Sequence, residues 1–423
     1  MPRMLQLAIF ITVVLAVIGG SHYYLWARLV RDPGINPPWR WVATWGLILL
    51  AVSVPASILL SRVLALPVAK VVLWLPYVWM GALLYLVSFL AVADLARLFV
   101  WLVPKLARGT YPLADAGRRL LVSRILAGSA LGVSAILVAI AIWGAMRAPE
   151  VKRIRIELPN LPAALDGTTI VQISDLHLGP TLQREWLEDV VRRTNELKPD
   201  LVAITGDLVD GSVDQLRDVV APLRGLQARY GVFFVTGNHE YYSGVAAWLE
   251  EVERLGIRVL HNRSVPIGGP EASFDLAGID DAGATGMAPG HGPDLGAALA
   301  GRDPSRALVL LAHQPRGVDE AAAAGVGLQL SGHTHGGQLW PWLYMVRLAF
   351  PYASGLHLHE GKTWVYVTDG TGFWGPPLRL GTTPEITLIT LAAPHPIALS
   401  SDPGTGKEGD DDESATTANL ERK

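Results

Sequence analysis

The chain has 423 residues, a formal net charge of −3, half of its residues hydrophobic and no cysteine. That charge balance excludes a strongly basic nucleic-acid binder as the default reading, and no nucleic-acid partner is expected. The missing cysteines exclude disulfides and thiolate metal ligands, so any metal must be held by oxygen and imidazole nitrogen.

A chain of this length should hold more than one domain, and its two halves differ sharply. Apolar runs at Leu5–Trp26, Trp41–Leu60, Val71–Ala93 and Leu126–Ala145 fill most of the first part. Runs of about 20 apolar residues match the hydrocarbon thickness of a bilayer when helical, and four of them with few internal charges do not suit a water-soluble core. Residues 1–150 are therefore expected to form a transmembrane region of about four helices. The first run meets the polar Arg28–Arg40 stretch without a clear small-residue cleavage site, so a retained helix is expected rather than a signal peptide. Tyr23, Tyr24, Trp26, Trp39 and Trp41 suit the aromatic belt at headgroup level.

Loop charges give an expected orientation. Arg28, Arg31 and Arg40 crowd the first loop, and Arg97, Lys105, Arg108, Arg118 and Arg119 the third. The N-terminus and second loop offer only Arg3, Arg62 and Lys70. Positive residues favour the cytoplasmic side, so four crossings place the second half of the chain outside the cytoplasm, in a multi-pass protein of the cell membrane. Arg147, Lys152, Arg153 and Arg155 pull the other way at the last crossing.

Residues 151–393 read as a soluble α/β domain. Strands are expected at Thr169–Ser174, Leu201–Thr205, Val232–Thr236, Phe274–Ile279, Ala307–Ala312, Leu328–Ser331, Trp364–Thr368 and Ile386–Leu391, bounded by Gly, Asp or Pro. Helical periodicity lies between them at Leu182–Leu197, Val213–Gln227, Gly244–Leu255 and Val318–Ala324. The near-continuous apolar strands imply burial on both faces. Residues 394–423 form an acidic tail whose last part, Ser400–Lys423, has almost no apolar content and is expected to be disordered.

Five of these strands end in metal-ligand chemistry. TIVQIS leads to Asp175 and His177, LVAIT to Gly206-Asp207, VFFVT to Gly237-Asn238-His239, ALVLLA to His313, and GLQLS to Gly332-His333-Thr334-His335. In open sheets, ligands bind beyond the carboxyl ends of strands, where these residues fall. Residues two apart at a strand end leave on the same side, so Asp175 with His177, and His333 with His335, can each share an ion. A glycine precedes both Asp207 and Asn238, letting the backbone turn tightly and bring a short oxygen ligand close. Seven O and N ligands are too many for one zinc ion. They suit two ions about 3.5–4 Å apart, with Asp207 as the bridging carboxylate. Any one of these motifs alone reads as an ordinary turn or a hydrogen-bonded histidine, but five in succession make coincidence a poor account.

The residues DLHLG, GDLVDG, GNHE, AHQP and GHTHGGQ stand in the order of the calcineurin-like metallophosphoesterase superfamily, which the chain resembles over roughly Lys152–Leu391. GHTHGGQ followed by TGFWGPPLRLGTTPEI most resembles its membrane-associated phosphodiesterase branch, which includes hydrolysis of UDP-diacylglucosamine. The resemblance implies a two-sheet β-sandwich flanked by helices. It also implies one ion on Asp175, His177, Asp207 and His335, and the other on Asp207, Asn238, His313 and His333. His239 is then the general acid or a donor to the phosphoryl group, with Asp210 as the carboxylate that orients it. Arg379 matches the family's arginine and is a candidate for holding a distal phosphate, with a structural salt bridge as the competing reading. Asp369 departs from the branch, which often places a basic or amide residue before that glycine.

The implied chemistry is hydrolysis of a phosphodiester or pyrophosphate by in-line attack of a metal-bound hydroxide, with two divalent ions (Mn, Fe, Zn, Co or Mg) as cofactors. No Gly-x-Ser-x-Gly elbow or Walker-type loop competes with this reading. Leu339–Tyr352 (LWPWLYMVRLAFPY) is rich in aromatic and aliphatic residues. It reads either as a strand or loop packed on the domain, or as a segment that dips into the bilayer and admits a phospholipid or nucleotide-linked lipid. The alternative function is a non-catalytic membrane sensor or scaffold that keeps the metal-binding fold.

Overall fold

The computed structural model describes residues 3–106 and 115–394; the expected disordered segment Ser400–Lys423 lies outside the described residues. Helices α1 (Arg3–Trp26), α2 (Trp39–Val63), α3 (Leu66–Val72), α4 (Trp74–Leu106) and α5 (Ala116–Met146) form the first part. Among the described residues, four stretches, 11–31, 39–63, 66–106 and 116–146, are long and apolar enough to cross a membrane. At 1.5 Å per residue, 31 residues rise roughly 46 Å, which exceeds a hydrocarbon core of about 30 Å.

At one end of this bundle, charges are paired rather than left alone in an apolar setting. Asp94 receives Tyr24 Oη at 2.7 Å and Arg28 Nε at 2.8 Å, and a second Arg28 nitrogen reaches Asp32 at 2.6 Å. Pairing offsets the desolvation that an isolated charge would suffer there.

The second part carries strands β1 (Glu150–Glu157), β2 (Thr169–Ile173), β3 (Leu201–Ile204), β4 (Val232–Phe234), β5 (Arg258–Val259), β6 (Arg263–Gly268), β7 (Ser273–Gly278), β8 (Leu308–Leu311), β9 (Leu328–Ser331), β10 (Gly355–His359), β11 (Thr363–Val367) and β12 (Glu385–Ala392). They form two six-stranded mixed sheets, ordered β1-β12-β2-β3-β4-β5 and β10-β11-β9-β8-β7-β6. Between them run α6 (Arg184–Glu196), α7 (Val213–Val220), α8 (Asn238–Ser243), α9 (Val245–Arg254), α10 (Leu295–Ala298), α11 (Val318–Ala323) and α12 (Leu343–Ala349).

One face of each sheet packs on the other around Ile170, Phe233, Phe274, Val309, Leu330 and Ile389, all buried. The outer face of the first sheet is covered by α6, α7 and α9 through Leu187, Leu216, Trp248 and Val252. The outer face of the second is covered by α11 through Ala321. Each large apolar side chain removed from water in these layers contributes about 1.5–3 kcal/mol. The architecture is thus four apolar helices followed by a helix-flanked β-sandwich.

The sandwich sits directly on the membrane helices. Leu339 and Leu378 pack with Tyr85 of α4 and Ala141 of α5. The backbone N–H of Arg379 donates to the Ala141 carbonyl at 2.8 Å. Small residues allow this approach: a Cβ on Gly81 would lie 1.9 Å from Leu378 Cδ1, and one on Gly144 would lie 2.5 Å from the Arg379 carbonyl oxygen. The segment TGFWGPPLRLG is therefore a docking element as well as part of the site's border.

Candidate metal centre

The parallel run β2-β3-β4 of the first sheet and β8-β9 of the second bring five carboxyl ends to one edge of the sandwich. Asp175, His177, Asp207, Asn238, His313 and His335 are all buried there, and His333 is half-buried. Their backbones are bent to fit. Asp175, His177, Asp207, His333 and His335 have φ values of 55°, 44°, 51°, 71° and 50°, half of the ten described non-glycine residues with positive φ. Such a conformation is uncommon and is held by surrounding structure at functional sites.

Glycine is required where the loops meet. Gly206 has φ +88°, and a Cβ on Gly237 would lie 2.2 Å from Asp207 Oδ1. Only a residue without a side chain admits the Asp207 carboxylate beside that backbone. Glu240, fully buried, then ties the two loops together by accepting from the N–H groups of Gly237 at 2.6 Å, Leu208 at 2.8 Å and Asp207 at 3.1 Å. Burial and the nearby Asp207 carboxylate push Glu240 up to about 8 against the pull of those donors. Sequence reasoning passed over this residue. Its signal was its place three residues after Gly237, the position from which a glutamate caps a helix start.

Two clusters emerge, Asp175–His177–His335 and Asp207–His313–His333, each with ligand atoms within 4.8 Å of one another. His177 Nε2 and His335 Nε2 are 3.1 Å apart, His335 Nε2 is 3.4 Å from Asp175 Oδ1, and His177 Nε2 is 3.8 Å from Asp207 Oδ2. Asp207 therefore faces both clusters. Asp175 accepts the His333 backbone N–H at 2.9 Å, which locks the first motif to the last.

The donor set fits divalent cations. His313 Nδ1 donates to the Thr205 carbonyl at 2.7 Å and His177 Nδ1 to Asp210 at 3.0 Å, so each ring presents the Nε2 lone pair to the cluster. His313 Nε2 lies 3.1 Å from Asp207 Oδ2, yet the contact is not aligned as a hydrogen bond. His313 Nε2 and Asn238 Oδ1 are both buried and unpartnered. Orphaned buried acceptors are costly, and a shared cation satisfies them. Burial and then the charge of His313 hold His333 down at about 3, so that ring stays neutral; against burial, Asp207 and Asp175 lift His313 well above its ordinary value, a proton that a bound cation would displace.

His239 stands at the cavity side of the clusters. Its Nδ1 meets Asp210 Oδ1 at 2.6 Å, its ring lies edge-on to His177 at 4.6 Å between centroids, and Tyr242 and Trp374 flank it at 5.2 and 5.9 Å. Burial pulls the His239 imidazole down, but the Asp210 hydrogen bond and the charges of Asp207 and Asp210 outweigh it, lifting the group to about 9. Burial alone would raise the Asp210 carboxyl; His177 and His239 together hold it below its usual range.

Arg379 is not brought to the cavity. It is 1 % exposed, and its guanidinium donates to the carbonyls of Gly372, Asp369 and Gly370 and to Thr382 Oγ1. Its Nη2 is 3.3 Å from His335 Nδ1, so it lies behind the ligand, where burial draws it down to about 10. Among the described residues its oxygen partners are backbone carbonyls and a threonine hydroxyl rather than the carboxylate of a salt bridge. Asp369 is likewise engaged, accepting Ser354 Oγ at 2.5 Å.

Over the clusters lies a cavity of about 710 Å³ whose polar floor is His177, Asp207, Asn238 and His335. Its wall is apolar and includes Trp342, Met345 and Phe350 of the α12 region and Met80 of α4. Half of Leu339–Tyr352 is thus a short helix, with Trp342, Tyr344, Met345 and Leu348 of the segment exposed.

Residues 168–337 match the family described as Calcineurin-like phosphoesterase. The chain is 42% identical over 269 residues to a Danio rerio "Transmembrane protein with metallophosphoesterase domain", covering 62% of this chain and 62% of that one. It is 38% identical over 330 residues to the Bos taurus protein of the same name, covering 75% and 73%. An Aquifex aeolicus "Uncharacterized metallophosphoesterase" is 35% identical over 244 residues, covering 57% of this chain and 91% of that one. With this agreement of motif order, sandwich fold and apolar helices, the chain belongs to the calcineurin-like phosphoesterase family of metal-dependent phosphoric ester hydrolases, in a membrane-bound form.

Proposed function

We propose that the protein is a membrane-anchored phosphoesterase that hydrolyses a phosphodiester or pyrophosphate of a lipid-linked substrate with two divalent ions. One observation carries this reading: two three-residue clusters of His and Asp lie side by side, with Asp207 of one 3.8 Å from His177 of the other, and Asp207, Asn238 and three of the histidines line an apolar cavity. Asp175, His177, Asp207 and His335 would hold one ion, and Asp207, Asn238, His313 and His333 the other. When bound, the ions would supply Lewis-acid stabilisation of the phosphoryl oxygens and a nucleophile at neutral pH.

The chain's own residues do the rest. His239, oriented by Asp210, would give a proton to the leaving oxygen or a hydrogen bond to the phosphoryl group. Arg379 is a positioning residue that braces His335 and the loop between β11 and β12. The half-exposed rings of Trp342 and Trp374 give the cavity an apolar rim suited to an amphiphile rather than a fully hydrated phosphate. The arginine-rich first and third loops favour a domain outside the cytoplasm.

The test is hydrolysis of a chromogenic bis-nitrophenyl phosphate by the full-length protein with Mn, Fe, Zn, Co or Mg. Turnover should require an added divalent ion and disappear in Asp207→Asn. Absence of turnover with every ion, in a protein that still binds metal, would leave the non-catalytic sensor in its place.

A further inference from the structure

The cavity over the metal clusters is not closed at its far end. A second cavity, of about 680 Å³, begins at Asp210 and His239 and runs between the membrane helices α2 and α4, where Val54, Ile58, Tyr77 and Met80 line it. Met80, His239, Tyr242 and Trp374 belong to the walls of both cavities. Both volumes fall within the usual range for small-molecule sites.

Where the second cavity enters the bundle, Val54, Ile58 and Met80 give it apolar surface, with Tyr77 and Arg62 beside them. Ser57 and Ser61 lie on its wall, but Ser57 Oγ donates to the Val54 carbonyl at 2.7 Å and Ser61 Oγ to the Ile58 carbonyl at 2.9 Å. Their hydroxyl protons are thereby engaged by the helix backbone. Ile58 both lines this cavity and is 59 % exposed, which puts the cavity's edge at the outer surface of the bundle. A hydrated substrate gains nothing from such a path, whereas a hydrocarbon chain passes along it from the bilayer without crossing water.

We infer that the second cavity holds an acyl chain of the substrate, which slides in laterally between α2 and α4 while its phosphate rests over the metal clusters beside His239. This rests on the phosphoesterase reading and adds that the membrane helices are part of the substrate site rather than only an anchor. The occupant is a lipid chain because the cavity is continuous both with the bilayer-facing surface and with the proposed phosphate position.

The test uses the full-length protein in nanodiscs and a non-hydrolysable hexadecyl phosphonate with a diazirine at the chain end. Photo-adducts should map to Val54–Ser61 and Tyr77–Met80 and be suppressed by excess unlabelled phosphonate. Adducts confined to Leu343–Phe350, or spread over lipid-facing positions without suppression, would overturn the inference. In parallel, Ile58→Trp, which fills the opening, should lower kcat/KM for a hexadecyl nitrophenyl phosphodiester at least about tenfold more than for its ethyl analogue. Leu59→Trp, on the neighbouring lipid-facing position, should leave both within about twofold of wild type. Equal losses on both esters in Ile58→Trp would also overturn it. If the wild type cleaves neither ester, the phosphoesterase reading falls, while the adduct map still decides where the chain lies.

Discussion

The floor and the wall of the cavity over the two clusters are built by opposite means. The floor uses short polar side chains at strand ends, buried, with strained backbones and neighbouring loops stitched by Glu240. The wall uses long apolar side chains from the α12 region and α4, among them the exposed Trp342 and Met345. A floor of this kind fixes atoms to within fractions of an ångström, as metal ligation demands, whereas a wall of this kind selects only for apolar bulk. If the proposed function holds, chemistry and substrate choice are separable, and substitutions should divide into two classes.

The largest loss should come from the floor. Asp207→Asn removes the charge that faces both clusters and should lower kcat/KM for any phosphoester by at least about 10³-fold, measured by steady-state hydrolysis. His239→Ala should cost about 10²–10⁴-fold, with a smaller loss on an ester whose leaving group needs no proton. Asp210→Asn, which loosens both His177 and His239 without removing a direct ligand, should cost about 10–100-fold and weaken metal affinity measured by calorimetry. The smallest effect should come from the wall. Trp340→Ser with Trp342→Ser should lower liposome binding and turnover of a lipid ester by less than about tenfold, leaving a water-soluble ester little changed. Equal loss on both ester types in that double variant would erase the distinction between floor and wall.

How much of this was legible in the sequence depends on burial. All eight interior strands, β2, β3, β4, β7, β8, β9, β11 and β12, coincide with apolar runs, because strands flanked on both sides are covered on both faces. The four strands that escaped notice, β1, β5, β6 and β10, are the four sheet edges. EVKRIRIE places Glu150, Arg153, Arg155 and Glu157 outward, as an edge does to avoid pairing with other chains, and GLHLH is broken by its two histidines, so neither presents a continuous apolar run.

The candidate ligands were legible because ligand chemistry needs particular residue types at particular spacings. Glu240 and Arg379 were harder to place because what they do depends on backbone groups far away in sequence, which no local pattern encodes. The docking of TGFWGPPLRLG on α4 and α5 was hidden for the same reason. It depends on Gly81 and Gly144 being small at points that only the fold brings near Leu378 and Arg379.

The central claim is that two ions at the strand ends act together through Asp207. It is tested most directly by stripping metal from the full-length protein and titrating Mn²⁺ while bound metal and phosphodiester hydrolysis are followed in the same sample. The expected result is two ions per chain, with hydrolysis rising as the second site fills. Saturation at one ion per chain with full activity, or hydrolysis that persists in the metal-free protein, would contradict it.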